Sequence, residues 1–177
     1  LAGADVVIHL AGEPVAQRWT PEVKQKIRDS RVIGTRRLVE AMTTLSPRPS
    51  VLVSASGIGY YGSRGDEELT EASAPGEGFL PETCVAWEAQ ADLAKSLGIR
   101  VVKVRTGIVL GDGGALAEML PVFRWGLGGP LAGGKMWMSW IHLEDMVRMI
   151  VWAATNEAVQ GAVNGVAPNP ATNAELP

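Results

Sequence analysis

The sequence predicts an α/β fold, a doubly wound parallel sheet of Rossmann-like type and only part of one, and three observations carry that expectation. The run Asp5–Leu10 is apolar on both alternating faces, as strands covered on both sides are, and Val51–Val53 and Val101–Val104 read as a second and a third strand. Helical patterns separate them, and alternating strand and helix is the signature of helices wound over both sides of a parallel sheet. Each run ends in small or hydroxyl-bearing residues: Ala11-Gly12, Ser54-Ala55-Ser56-Gly57 and Thr106-Gly107. In such sheets ligands sit outside the carboxyl ends of the strands.

Taken in order, Glu13 to Trp19 follows the first strand as a loop. Thr20-Pro21-Glu22 opens a helix, with Thr as N-cap and Pro in the first turn. Val23, Ile27, Gly34, Leu38, Met42 and Leu45 form its apolar stripe, and Pro47 and Pro49 stop it. The second strand follows, then residues 62 to 80 with the composition of a long loop. Pro81-Glu82 opens a second helix whose apolar side is Trp87, Ala91, Ala94 and Leu97, ending at Gly98. The third strand leads into Thr106–Gly111. A short helix over Ala115–Trp125, a glycine-rich turn over Gly126–Gly134 and a strand over Met138–Ile141 come next. A helix over Leu143–Thr155 carries Met146, Val147, Ile150, Val151 and Ala154 inward, and Val163–Val166 is a last short strand. Residues 1–111 carry the strand–helix alternation, and 112–177 form a region of short strands and helices contributing to the same fold.

Composition excludes several classes. The 177 residues suit one domain, and a net charge of -3 with scattered Lys and Arg gives no footprint for nucleic acid. No apolar run is long enough for a membrane helix. Cys84 is the sole cysteine, so a reducing compartment is expected, with the cytoplasm the simplest. No His, Cys and acid set has metal-site spacing. Leu1 in place of Met, and a last element cut at Pro177, suggest a piece of a longer protein.

The strand ends leave alternatives open. Leu10-Ala11-Gly12 either lets a flat ligand approach the backbone or makes a plain tight turn. Ser54 and Ser56 either hold a substrate oxygen or cap backbone groups. Thr106–Gly111 either covers a nicotinamide ring with Ile108 and Val109 or continues the strand. Tyr60 and Tyr61 are acid candidates or packing residues, and His142 reads as a capping residue. Trp125, Trp137 and Trp140 either line a pocket or pack a subdomain, and Arg124 and Lys135 read as solvated.

Together these segments resemble the successive fingerprints of the extended short-chain dehydrogenases/reductases, as does Trp140-Ile141-His142-Leu143-Glu144-Asp145. Gly12-Glu13-Pro14, Arg18-Trp19, Ser30-Arg31, Tyr60-Tyr61-Gly62 and Asn164–Pro168 resemble, more narrowly, the atypical epimerase-like family. The resemblance implies a glycine-rich phosphate loop before Leu1 and NADP as cofactor, with NAD the other choice. It places Leu10, Ala11, Gly12, Glu13, Ser54, Arg105, Gly107, Ile108 and Val109 at the cofactor, and Ser56, Tyr60 and Tyr61 at the chemistry. It implies a small-molecule substrate, such as a nucleotide-linked sugar, and two copies pairing through the first long helix.

One departure matters. The wider superfamily places a Tyr and a Lys four residues apart on the helix after the serine strand, the Lys lowering the Tyr pKa by its charge. Those places fall at Cys84 and Glu88. Cys84 is expected to pack as a small apolar group, and Glu88 to lie on a solvated face. The expectation is therefore an NADP-dependent oxidoreductase or epimerase, the alternative being a catalytically silent NADP-binding sensor or scaffold.

Overall fold

The computed structural model describes residues 1–113 and 133–175. In chain order its elements are β1 (Val6–His9), α1 (Pro21–Thr43), β2 (Val51–Gly57), α2 (Phe79–Asp92), β3 (Arg100–Thr106), β4 (Ile108–Leu110), β5 (Trp137–Met138), β6 (Trp140–His142), α3 (Leu143–Thr155), β7 (Gly161–Gly165) and β8 (Ala171–Thr172). The main sheet is parallel throughout, in the order β1-β2-β3-β7. β4 pairs with β6 in parallel, and β5 pairs with β8 antiparallel. The expected strand Met138–Ile141 is thus two short ones, broken at Ser139, whose carbonyl accepts from Ile108 N at 2.8 Å. The expected helix over Ala115–Trp125, with Arg124 and Trp125, and most of the glycine-rich turn lie outside the described residues.

Side-chain alternation sorts the strands onto two faces. Val7, Leu52 and Val101 pack with Val39 and Met42 of α1 and with Ala91 of α2. Val51, Val53, Val102 and Val104 pack on the other face with Met146 and Ala153 of α3. α1 starts as expected, the Thr20 hydroxyl accepting from Val23 N at 3.3 Å. Its buried stripe is Ile27, Val32, Thr35, Val39 and Met42, which keeps the expected Ile27 and Met42, while Leu38 and Leu45 pack partly buried against the core and Val23 and Gly34 are not among the buried residues. Thr35 is fully buried because its hydroxyl accepts from the Trp87 indole at 2.8 Å and meets His9 Nε2 at 3.0 Å. A hydrogen-bonded hydroxyl thus takes the place that Gly34 was expected to fill.

Two further expectations are corrected. Val6 and Ile8 are exposed, because β1 pairs on one side only among the described residues and the α3 cluster covers β2 and β3 but not β1. In α3, Val147 and Val151 face outward, 52% and 53% exposed, while Met146, Ile150 and Ala153 face the sheet. Ala153, fully buried, lies on the face toward the strands, opposite the Val147 and Val151 row.

Candidate functional site

The carboxyl ends of β1, β2 and β3 share one rim, since neighbouring strands run parallel with His9 beside Ser54 and Ser56 beside Arg105. Arg105 in turn lies beside Asn164 on β7. Ser56, Arg105 and Asn164 are therefore one lateral row, and Ser54 with Lys103 is the row below. Alternation puts both rows on the α1/α2 face, beyond the apolar patch of Leu52 and Val101. That face changes from apolar to polar towards the rim.

Glu88 lies over the polar rows, 6% exposed, which corrects the solvated-face expectation. Its Oε1 accepts from the Ser56 hydroxyl at 2.8 Å and from Arg105 Nε at 2.9 Å, and its Oε2 from Arg105 Nη2 at 3.1 Å. Lys103 Nζ is 3.7 Å from Oε2 and donates to Asp92 at 2.8 Å. A carboxylate is stable inside only with such partners, and here the strands supply them. The other edge of the Arg105 guanidinium donates to the Tyr61 hydroxyl at 3.0 Å and to the Glu71 carbonyl at 3.2 Å. Its face lies 3.5 Å from the centre of the Tyr60 ring. Burial works to lower the Arg105 pKa, but hydrogen bonds to Glu88 and Tyr61 and the Glu88 charge outweigh it and raise the pKa above its ordinary value.

The expected site residues fall into two groups. Ser54, Ser56, Tyr61 and Arg105 are all buried. The Ser54 hydroxyl donates to the Ala55 carbonyl at 3.2 Å, and the Tyr61 hydroxyl to Asn164 Oδ1 at 2.6 Å. Tyr60 is only half-buried. Leu10, Ala11 and Gly12 are exposed, and Glu13, Gly107, Ile108 and Val109 are half-buried. Gly107 has a reason within the chain, since a Cβ there would lie 2.5 Å from the Ser139 carbonyl oxygen. Cys84 packs as expected, 7% exposed, its thiol 3.8 Å from the Gly57 carbonyl. Burial, and next the Glu88 charge, push its pKa up, away from thiolate reactivity.

Sequence reasoning missed Glu88, Lys103 and Asn164 as network members. Serines, a lysine and an arginine alternating along strands buried on both faces call for a buried charge opposite. Glu88 lies four residues from Cys84 and three from Ala91, on the inward side of α2. The aromatic and capping candidates are simpler. Trp137 is 44% exposed and donates to Asp66 at 2.7 Å, Trp140 is half-buried, and Lys135 is exposed. His142 caps α3, accepting from Glu144 N at 3.3 Å.

The exposed small and apolar residues at the end of β1 fit a flat dinucleotide ring. The place of the superfamily's ribose-holding lysine does not fit that task, since Glu88 there is an acceptor and already engaged. Among the described residues no group of three or more His, Cys, Asp or Glu is placed to hold a metal ion, and no helix is long and apolar enough to cross a membrane.

A parallel sheet wound with helices on both faces, its strand ends gathered on one rim, defines a Rossmann-like protein of the short-chain dehydrogenase/reductase kind. The chain belongs to the NAD dependent epimerase/dehydratase family, which matches residues 1–165. It is 44% identical to the Arabidopsis thaliana chloroplastic homolog of epimerase family protein SDR39U1, over 98% of this chain and 51% of that protein. The human epimerase family protein SDR39U1 (isoform 2), solved with NADPH, superposes with a TM-score of 0.91 at 36% identity, over 99% of this chain and 61% of that one. The nucleoside-diphosphate sugar epimerase from Corynebacterium glutamicum gives 0.87 at 40% identity, over 98% of this chain and 37% of that one. The chain therefore spans little more than half the length of these two SDR39U1 proteins.

Proposed function

We propose that this chain forms the nicotinamide side of an NADP-dependent oxidoreductase or epimerase of the extended short-chain dehydrogenase type, with Tyr60 as its proton donor. The observation that carries the reading is Tyr60 itself, half-buried at the rim with the Arg105 guanidinium 3.5 Å from its ring centre. The Ser56 and Tyr61 hydroxyls, by contrast, are engaged by Glu88 and by Asn164 and Arg105. Leu10, Ala11, Gly12, Glu13, Gly107, Ile108 and Val109 would hold the cofactor, which supplies the hydride chemistry when bound. Ser54, Ser56, Tyr61 and Arg105 hold the wall behind it. NADP rather than NAD is supported by the NADPH of the human relative. A nucleotide-linked sugar is supported by the description of the Corynebacterium relative.

The test is a panel of carbonyl compounds and nucleotide sugars with the full-length protein and NADPH. Tyr60→Phe should lower kcat by about 10²–10⁴-fold, the usual contribution of a positioned acid, and leave NADPH affinity unchanged. Equal turnover by the variant removes Tyr60 from the chemistry. A second reading, a cofactor-binding sensor or scaffold without turnover, is favoured by the saturated Glu88 at the lysine position. Turnover that Ser56→Ala or Tyr60→Phe abolishes would exclude it. The same reading makes residues 1–111 cofactor-side and 112–177 substrate-side, puts the protein in the cytoplasm, and pairs two copies through α1.

A further inference from the structure

The loop after β1 is held from behind by α1. Glu13 N donates to the Ser30 hydroxyl at 3.0 Å, and Arg31 Nη1 donates to the Glu13 carbonyl at 2.8 Å and to the Ile27 carbonyl at 3.1 Å. The guanidinium lies between the Trp87 ring, 5.1 Å from its centre, and Gly12, where a Cβ would stand 3.0 Å from its Cζ. A side chain at Gly12 would therefore have to push the guanidinium aside by a few tenths of an ångström. Arg31 forms no ion pair with a carboxylate among the described residues, and burial lowers its pKa. A half-buried cation whose hydrogen bonds go to backbone carbonyls, and whose plane lies against a ring, is placed for its shape as well as for its charge, which Glu13 attracts. Lysine has neither the plane nor the fork for that task.

We infer that Arg31, with Ser30, is the positioning residue that fixes the Gly12–Glu13 loop in its cofactor-holding conformation. The inference rests on the reading of that loop as cofactor-facing, and it adds the device that sets the loop. Three residues of one helix reach the β1 end, Ser30 and Arg31 to the loop and Thr35 to His9, so the rim at β1 inherits its geometry from α1. A pre-set loop binds without an ordering cost, and losing the latch should therefore appear in binding.

The test uses the full-length protein, with NADPH affinity read by nicotinamide fluorescence and amide hydrogen exchange read at Glu13. Arg31→Lys, Arg31→Met and Ser30→Ala should each weaken NADPH binding tenfold or more, speed exchange at Glu13, and raise KM for NADPH with little change in kcat. Gly12→Ala should do the same by pressing on the guanidinium. Arg36→Met, which removes only a contact to Gln90 on the outer side of α1, should change none of these. Unchanged affinity and exchange in Ser30→Ala and Arg31→Lys would overturn the inference while NADPH binding by the parent protein stood. A parent protein that bound no NADPH would overturn the proposed function first and this inference with it. Should Arg31→Met fail to fold, Ser30→Ala and Gly12→Ala decide.

Discussion

The two faces of the sheet are built from alternate residues of the same strands, yet they behave differently. Under α3 the middle of the face is apolar, Val51, Val53, Val102 and Val104 meeting Met146 and Ala153, with Arg100 at its near end donating to the Ala153, Ala154 and Val159 carbonyls. Under α1 and α2 it is apolar at Val7, Leu52 and Val101, and then becomes Ser54, Ser56, Lys103 and Arg105. The first face holds the fold by burial, which is non-directional and tolerant of repacking. The second holds by directed bonds to a buried carboxylate, which tolerate little. The polar rim is built where burial stops being the main cohesive force.

The strongest way to break that contrast is Glu88→Gln. It keeps the shape and leaves Arg105 buried without its counter-charge, so a loss of about 3–5 kcal/mol is expected, read by denaturant unfolding. On the apolar face Met146→Ala should cost about 2–5 kcal/mol, but its partners can close in and no charge is stranded. A loss from Glu88→Gln smaller than that from Met146→Ala would dissolve the distinction. Next comes Tyr61→Phe, which removes one donor and one acceptor from the network and should cost about 1–3 kcal/mol.

A pH test sharpens the same comparison. Burial holds the His9 pKa below its ordinary 6.5, so the fold keeps the ring neutral where the unfolded chain would protonate it. The unfolded state then binds more protons below that value, and stability is lost as pH falls below about 6.5. Melting temperatures from about pH 8 down to about pH 5 should drop less steeply in His9→Gln than in the parent. An identical slope would remove His9 as a cause. The smallest effect expected is Thr20→Ala, about 1 kcal/mol from the lost cap of α1, also read by unfolding.

The sheet was legible because consecutive apolar residues between helical patterns have few other readings. The strand ends and the starts of α1 and α3 followed from their caps and breakers. The polar hub was less legible. Glu88 counts as solvated on composition alone, and only its spacing from Cys84 and Ala91, set against the alternating Ser54, Ser56, Lys103 and Arg105, places it inside. Thr35 hid the true stripe of α1, because a hydroxyl satisfied by Trp87 and His9 buries as well as a methyl group. Val147 and Val151 were misplaced because a row of valines outweighs one alanine in an apolar pattern, while it is Ala153 that is fully buried. β8 has two residues and no local pattern.

The links from Tyr61 to Asn164 and from Asn164 N to Glu71 join positions 103 and 93 residues apart. A ribosome delivers Arg105 and its tyrosines long before it delivers that asparagine. Until β7 docks, the cluster lacks one wall, and the energy of closing it comes only after a large loop has been ordered. A chain that ended before residue 164 would leave the Tyr61 hydroxyl without that acceptor and the Glu71 carboxylate without the Asn164 N–H.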